Sequence, residues 1–270
     1  MEKKVLLEIQ RQKELMSISE QPLKDVVGGL PDIMKSAFTK AALQSMFDLD
    51  DSDLPNLSKD GKDLTITSGK IKHNYTGKAG DMVNRTIKEM EKMGITNPYA
   101  QIGILSVIGK ESGFTSVKEL SYCSTSDSRI VKVFGNRGSK CKSLKCNDAK
   151  FFDCVYGVNS GMKLGNTQPG DGWKYVGRGL NGITGRGNYK KYGQLIGVDL
   201  ENNPELLEDP KVSVKAAIAF LLKGKKPENL PNFKNEEEAI KYFADVNAGS
   251  KSETGRKLAK KVAPRFKIDI

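Results

Sequence analysis

The sequence predicts a mostly α-helical protein in which strands are scarce. Apolar residues recur at helical spacing in several segments, and residues typical of helix caps flank these segments. The alternating pattern of a half-buried strand occurs in one short run, residues 64–67. Hydrophobic residues make up 37% of the 270-residue chain, which is enough for a core. This length allows one large domain or a domain with an appendage.

The N-terminal part is predicted to be a small helical extension, residues 1–76, followed by a larger domain, residues 77–270. Residues 2–16 and 31–47 carry apolar positions at helical spacing, which indicates two amphipathic helices. Residues 48–63 are acidic and polar, as is typical of a linker. A helix as short as the first is marginally stable alone in water, so we expect it to dock on the larger domain or on a partner protein.

Two helices are predicted at the start of the larger domain. The first runs from Asp81, with one apolar face, to a stop at Gly94. Asn97 is a typical N-cap and Pro98 a typical first residue for the second helix. That second helix is almost entirely apolar, which predicts burial, and it ends at residues 110–113.

Three further helices are predicted near the C-terminus. Asp209 caps a helix that begins at Pro210 and stops at Gly224. Asn235 caps the next, residues 236–246, whose acidic first turn suits the helix dipole. Residues 254–262 form the last predicted helix.

Between these helices lies a glycine-rich stretch, residues 172–189, with the sequence GWKYVGRGLNGITGRGNY. Its six glycines fit neither a helix nor a strand, and the composition alone is typical of a surface loop. A phosphate-binding loop is not indicated, because the GxxxxGK[ST] pattern is missing.

This stretch, extended to residues 170–193, resembles the GDGWRYRGRGLIQLTGRxNYxxYG signature of glycoside hydrolase family 19. That family contains chitinases and lysozyme-like endolysins of phages and bacteria. Residues 94–114 resemble the helix that ends in HESGGF in the family, and the likeness covers residues 79–265. The resemblance implies a lysozyme-like α fold in which the glycine-rich stretch lines a substrate cleft.

The resemblance also implies a pair of catalytic carboxylates and an inverting reaction. Glycoside hydrolysis needs a protonated acid at the leaving oxygen and a second carboxylate across the sugar. Glu111 matches the acid of the family. We expect it to be buried at its helix end, because burial keeps a carboxyl group protonated; the alternative is a surface glutamate. Glu119 matches the second carboxylate, with a solvated loop residue as the alternative. Thr184 aligns with a hydroxyl residue that holds the nucleophilic water.

Further residues are predicted to bind substrate. Asn188, Asn247 and Arg256 align with family residues that bind sugar or orient the acids. Ser121 is a second hydroxyl near Glu119. The remaining candidates have structural alternatives: Arg178 and Arg186 could contact substrate or brace loops, and Tyr122 and Trp173 could stack on sugars or pack in the core. The chain departs from the family in several places. Lys110 replaces its histidine, Gly182 replaces a glutamine, VNAGS at residues 246–250 replaces INGG, and one glycine is missing after Ser112. No metal and no cofactor are expected.

The four cysteines lie between the two main motifs, at Cys123, Cys141, Cys146 and Cys154. Four cysteines allow three disulfide connectivities. Reduced thiols are the expectation for a protein made in the cytosol. Disulfides formed after release are one alternative, and a four-cysteine metal site is another, weakened because no CxxC pair is present.

A formal net charge of +11 favours a polyanionic partner. Nucleic acid is not expected, since no zinc-finger spacing, recognition helix or aromatic RNA-binding motif is present. An anionic cell wall fits better. No apolar run is long enough to span a membrane, and the N-terminus lacks the pattern of a signal peptide. The sequence therefore predicts a protein made in the cytoplasm that acts at the bacterial wall after lysis or as part of a virion.

These observations favour a phage endolysin-like lysozyme that hydrolyses β-1,4 bonds of peptidoglycan. A chitinase that acts on GlcNAc polymers is the alternative within the family. A virion structural or wall-binding component with weak catalysis is the alternative of another class. The extension, residues 1–76, supports docking onto a phage particle or an assembly partner.

Overall fold

The computed structural model of the protein describes residues 71–268, which belong to one compact unit, Thr65–Ile270. The predictions made for residues 1–70 lie outside the described residues. These are the helices at 2–16 and 31–47, the acidic linker and the strand at 64–67.

Residues 71–268 are mostly helical, which confirms the predicted fold class. The α-helices are α1 (Gly77–Lys92), α2 (Pro98–Ser112), α3 (Asp127–Phe134), α4 (Asn136–Cys141), α5 (Asp148–Tyr156), α6 (Asp171–Lys174), α7 (Arg186–Ile196), α8 (Pro210–Leu222), α9 (Glu236–Ala248) and α10 (Glu253–Val262). Two short strands, β1 (Ile71–His73) and β2 (Phe266–Ile268), pair antiparallel. None of the described helices has the length and apolar character needed to cross a membrane.

The packed domain includes residues that the sequence analysis placed in the extension. Ile71 lies opposite Ile268 in the two-stranded sheet and is fully buried. The ring of Tyr75 stacks on Phe266 at 5.6 Å and meets Phe114 edge-on at 5.0 Å. Residues 71–76, which precede the predicted boundary at residue 77, are therefore packed with the larger domain through strand β1 and Tyr75. The rest of the predicted division stays a prediction.

The largest core surrounds α2, whose residues from Ala100 to Ile108 are all buried. Helices α1, α8, α9 and α10 pack around it. Contact between α2 and α9 is close: a Cβ on Gly103 would lie 2.9 Å from side-chain atoms of Ala239 and Phe243. The nearly continuous apolar character of α2 is thus explained by neighbours on several sides.

The predicted helix caps are confirmed. Asn97 accepts a hydrogen bond from the N–H of Ala100, and Asn235 caps α9 in the same way. Asp209 accepts from two N–H groups of α8. Helix α1 begins at Gly77, earlier than the predicted start at Asp81.

Residues 121–160 form a lobe that we call the disulfide lobe. Its helices α3, α4 and α5 were not predicted, because helices of six to nine residues carry too little periodicity to be recognised. The structure joins Cys123 to Cys146 and Cys141 to Cys154. The cysteines are therefore disulfides, and the expectation of reduced thiols and the metal-site alternative are both wrong. Phe134, Phe151 and Phe152 are buried here in a third apolar cluster.

The glycine-rich stretch is not the surface loop that its composition indicates. Residues 175–180 are all buried, and residues at either end belong to α6 and α7. Gly185 shows why glycine is required: its φ is +90°, and a Cβ there would lie 2.6 Å from Leu164. The glycines therefore let the backbone pass through the interior, between the third apolar cluster and a second one that contains Tyr175, Ile183 and Tyr189.

Candidate active site

Three short backbone segments meet to form the floor of the candidate site. The N–H of Glu119 donates to the carbonyl of Gly177 at 2.7 Å, and the N–H of Gly179 donates to Val117 at 3.1 Å. On the other side, Arg178 and Ile183 exchange hydrogen bonds of 3.2 and 2.9 Å. Residues 177–179 thus lie between residues 117–119 and 183–184. This pairing brings the loop after α2 against the glycine-rich stretch.

The carboxylate of Glu119 is largely shielded from water and is held by three donors. Its Oε1 accepts hydrogen bonds from the hydroxyls of Tyr122 (3.2 Å) and Tyr156 (3.1 Å). Its Oε2 accepts a longer one, 3.4 Å, from the N–H of Gly177. Burial raises the pKa of Glu119, and these three hydrogen bonds oppose the rise without cancelling it. A carboxyl group of this kind is a stronger base than an exposed one.

Thr184 lies near Glu119, and the polar ends of both side chains approach Gly177 at the same point. A Cβ built on Gly177 would lie 3.3 Å from Glu119 Oε2 and 3.3 Å from Thr184 Oγ1. The hydroxyl of Thr184 donates to the carbonyl of Gly182 at 2.9 Å. Because a hydroxyl has one donor and two acceptor positions, Thr184 can still accept a hydrogen bond, for example from a water molecule.

Glu111 lies at the last turn of α2, where the sequence motif places it, but it is not buried. Its side chain keeps 30% of its surface exposed, and the ammonium of Lys110 contacts its Oε1. Asn247 of α9 donates to the same oxygen at 2.6 Å. The expectation of a buried acid is therefore wrong, because α2 projects its last turn beyond the core. Asn247 is held in the contact with Glu111 that its predicted acid-orienting role requires.

Arg256 contacts Asp245 of α9, the helix that carries Asn247, and not Glu111 itself. Its guanidinium binds the carboxylate of Asp245, with Nε at 2.8 Å from Oδ1, and this ion pair links α10 to α9. Asp245 also accepts a hydrogen bond from the N–H of Ser252. The Arg256 guanidinium holds the pKa of Asp245 below its usual range. The pair fixes the end of α9 that carries Asn247.

Arg178 and Arg186 are both bound to protein groups. Arg178 is 6% exposed, and it donates to Glu208 (2.9 Å) and to the hydroxyl of Tyr189 (3.0 Å). Arg186 makes two hydrogen bonds, of 2.9 and 2.6 Å, with the buried carboxylate of Asp171. The structure therefore gives Arg178 a bracing role in place of the predicted substrate contact, because burial keeps it from the surface.

The other predicted residues have protein partners as well. Ser121 donates to Asp148 at 2.7 Å, so its hydroxyl is bound within the disulfide lobe. Tyr122 packs edge-on against Phe134 at 5.0 Å, which is the core-packing alternative, while its hydroxyl reaches Glu119. Asn188 donates to the carbonyl of Thr184 at 2.8 Å and so supports that residue.

Trp173 also follows the core-packing alternative. One face of its ring is covered by the ammonium of Lys118, 3.6 Å from the centroid, and the other stacks on Phe152. Tyr156 is the functional candidate that sequence analysis missed. It belongs to the unpredicted helix α5, and nothing in its local sequence indicates contact with a residue so distant in the chain.

Comparisons with known proteins show what the chain is similar to. The family of class I chitinases, glycoside hydrolase family 19, matches residues 158–234, which include the glycine-rich stretch and Thr184. A glycosyl hydrolase family 19 domain-containing protein of Haemophilus influenzae is 32% identical over 134 residues, or 49% of this chain and 66% of that protein. Endochitinase 1 of Theobroma cacao is 46% identical over 57 residues, or 21% of this chain and 18% of that protein.

A crystal structure of a chitinase C mutant is similar over 70% of this chain and 81% of its own, with 16% identity and a TM-score of 0.37. The sequence matches place the chain in glycoside hydrolase family 19. The chain spans about two thirds of the bacterial relative and about a fifth of the plant one. Glu111 and Glu119 lie before the residues that match the family model, so their roles depend on the geometry described above.

Proposed function

We propose that this chain is an inverting glycoside hydrolase that cleaves β-1,4 bonds in the glycan of bacterial peptidoglycan, as lysozyme-like endolysins do. The observation that carries the proposal is that a shielded carboxylate, Glu119, and a hydroxyl, Thr184, each lie 3.3 Å from the position that a Cβ on Gly177 would occupy. In an inverting hydrolase this arrangement holds the water that attacks the sugar.

The proposed base step uses Glu119 Oε2 and Thr184. The attacking water donates one hydrogen bond to Oε2 and one to the Thr184 hydroxyl. A lone pair of the water oxygen is then left to attack the anomeric carbon. As the water attacks, Glu119 accepts its proton. Oε2 suits this role because its protein partner, the N–H of Gly177, is distant at 3.4 Å. Oε1 is occupied by two tyrosines, which fixes the direction of Oε2.

The proposed acid is Glu111, which protonates the leaving glycosidic oxygen from the opposite face of the sugar. Asn247 orients its carboxyl group by a 2.6 Å hydrogen bond. Asp245 and Arg256 support Asn247 from α9 and α10. As the C–O bond breaks, its electrons remain on the leaving oxygen, which takes the proton of Glu111, while water adds to the sugar with inverted configuration.

Peptidoglycan is the proposed substrate because of the charge of the chain. The chain carries a net charge of +11, which favours an anionic polymer over neutral chitin. The proposed place of action is the bacterial wall, after lysis or from a virion. Residues 1–76 are proposed to dock the protein on a phage particle or an assembly partner.

The test is digestion of purified peptidoglycan and of chitin hexamer by the full chain, with mass spectrometry of the products. New reducing ends at MurNAc or GlcNAc in the peptidoglycan digest identify the bond. Proton NMR of the first products should show the α anomer from a β-linked substrate. A Glu119→Gln preparation is the matched control for contaminating hydrolases. Release of peptides or amides without new reducing ends would overturn the proposal.

Chitin is the second candidate, favoured by the 46% identity with Endochitinase 1 of Theobroma cacao over 57 residues. Faster cleavage of chitin hexamer than of peptidoglycan fragments at equal concentration would favour it. The same two carboxylates and Thr184 would then act on a neutral glycan.

A further inference from the structure

The disulfide lobe touches the proposed site at one atom, Glu119 Oε1. Two tyrosine hydroxyls reach this oxygen from different parts of the lobe: Tyr122 from the segment before α3, and Tyr156 from the end of α5. Both hydroxyls donate, so both favour the ionised carboxylate and restrict its rotation.

Each of these tyrosines lies beside a disulfide. Tyr122 directly precedes Cys123, which is bonded to Cys146. Tyr156 lies one helical turn or less beyond Cys154, which is bonded to Cys141. Cys141 and Cys146 flank one short 3₁₀ turn. A single short segment is therefore joined covalently to both tyrosine-bearing segments.

Non-covalent contacts also join these segments. Tyr156 stacks on Phe152 of its own helix and meets Phe134 of α3 edge-on at 5.9 Å. Tyr122 packs on Phe134 and Phe151. The loop after Tyr122 is further held by Lys145, which donates to the carbonyl of Thr125. A reductant breaks only the covalent links, so its effect on Glu119 measures what the two disulfides contribute.

We propose that Tyr122 and Tyr156 are positioning residues for Glu119, and that the two disulfides hold them in place, so that reducing the disulfides lowers turnover of the proposed hydrolase. This inference rests on the proposed function for its turnover assay. Its geometric part, the control of Glu119 by the lobe, can be measured without any substrate.

Three groups that donate hydrogen bonds to Glu119 come from three different parts of the chain. Tyr122 lies on its own loop, Tyr156 on α5 and the N–H of Gly177 on the glycine-rich stretch. The charge of Glu119 also reaches Tyr189 of α7, whose pKa is raised to about 12, mainly by burial. Loss of a tyrosine donor therefore destabilises the carboxylate and raises the pKa of Glu119 further.

Loss of a tyrosine donor should change how kcat depends on pH. A base must be ionised to act, so a higher pKa moves the acidic limb of the kcat profile to higher pH. For Tyr156→Phe we expect kcat to fall about tenfold near pH 6, as for loss of one hydrogen bond to a charged group, and to recover partly near pH 8. KM should change less than about twofold. Tyr192→Phe, which removes a tyrosine hydroxyl from another buried site, is the control.

A substrate-free measurement separates this inference from the proposed function. In protein labelled with ¹³C at the glutamate carboxyls, the Glu119 signal, assigned with Glu119→Gln, should titrate at higher pH in Tyr156→Phe than in the wild type. An unchanged titration would overturn the positioning role, whatever the substrate. A shifted titration in a protein that cleaves no glycan would overturn the proposed function and leave the positioning role standing.

The redox part is tested with dithiothreitol on the full chain. Each S–S bond gains two electrons and two protons and becomes two thiols, while dithiothreitol is oxidised to its cyclic disulfide. We expect kcat to fall at least tenfold and to return on reoxidation. The Cys123→Ser/Cys146→Ser and Cys141→Ser/Cys154→Ser double variants should each respond less to dithiothreitol than the wild type.

Circular dichroism distinguishes repositioning from unfolding. If the activity of the reduced protein falls only in proportion to the loss of folded protein, or does not fall, the redox part is overturned. If the Glu119 titration moves on reduction while the helical signal is retained, the lobe controls the carboxylate as proposed.

Discussion

Replacement of Gly177 by alanine is the sharpest test of the geometry around the attacking water. The change adds one methyl group, which would lie 3.3 Å from both Glu119 Oε2 and Thr184 Oγ1. The φ of Gly177 is not in the left-handed region, so alanine is free of backbone strain there. The backbone N–H that contacts Glu119 is also kept.

The expected cost to stability is small and the expected cost to catalysis is large. A contact of 3.3 Å requires the neighbouring side-chain ends to move by a few tenths of an ångström, which places the cost at the low end for overpacking, about 1 kcal/mol. For a domain of this size that lowers Tm by roughly 2–4 °C. Displacing the carboxylate, the hydroxyl or the water between them should lower kcat by about 100-fold.

The assay is kcat on solubilised peptidoglycan fragments, with Tm measured on the same preparations. Gly187→Ala is the control, because a Cβ there would meet backbone atoms of Leu164 and Gly165 at 3.1 and 3.3 Å, and not the side chain of Glu119 or Thr184. Backbone atoms move aside less easily than side-chain ends, so we expect it to lower Tm at least as much as Gly177→Ala while keeping most of the activity. If Gly177→Ala retains more than about a third of wild-type kcat, no attacking water lies between Glu119 and Thr184, and the proposed base step fails.

The remaining predictions concern the carboxylates, the charge and the domain boundary. Glu111→Gln and Glu119→Gln should each lower turnover at least 100-fold with Tm nearly unchanged. If either variant keeps a third of the wild-type turnover, the residue that it replaces has no part in the mechanism. Binding to isolated walls should weaken as salt rises from ~50 to ~500 mM, because the field of the basic surface is screened over about 8 Å or less, and an unchanged affinity would assign the charge to another role. A variant that begins at Thr65 should fold and cleave soluble fragments, whereas one that begins at Gly77 should be insoluble or much less stable; equal stability of the two would show that β1 contributes little.

The helices with local signals could be predicted from the sequence. Asn97, Asp209 and Asn235 are caps whose partners lie two or three residues away, so the sequence alone contains the interaction. The segment at Ile71–His73 could not be assigned to the domain, because its partner strand lies at the other end of the chain. Local patterns carry no information about such pairing.

The motif residues of the site could be predicted from the sequence, but their contacts with distant residues could not. The motifs identified Glu119 and Thr184 as candidates, but not the two tyrosine hydroxyls on Glu119, since Tyr156 is 37 residues away from it. The burial of Arg178 was also not predictable, because a glycine-rich composition is typical of surface loops, whereas here the backbone passes between two apolar clusters. In each case the missing information was tertiary packing.

The two carboxyl groups have different surroundings. Glu119 is shielded by the protein itself, through two tyrosines and the glycine-rich backbone. Glu111 is exposed at the end of α2, where Lys110 and Asn247 contact it. The surroundings of the proposed base are therefore set by the fold, whereas a glycan laid across the end of α2 would complete those of the proposed acid by covering Glu111.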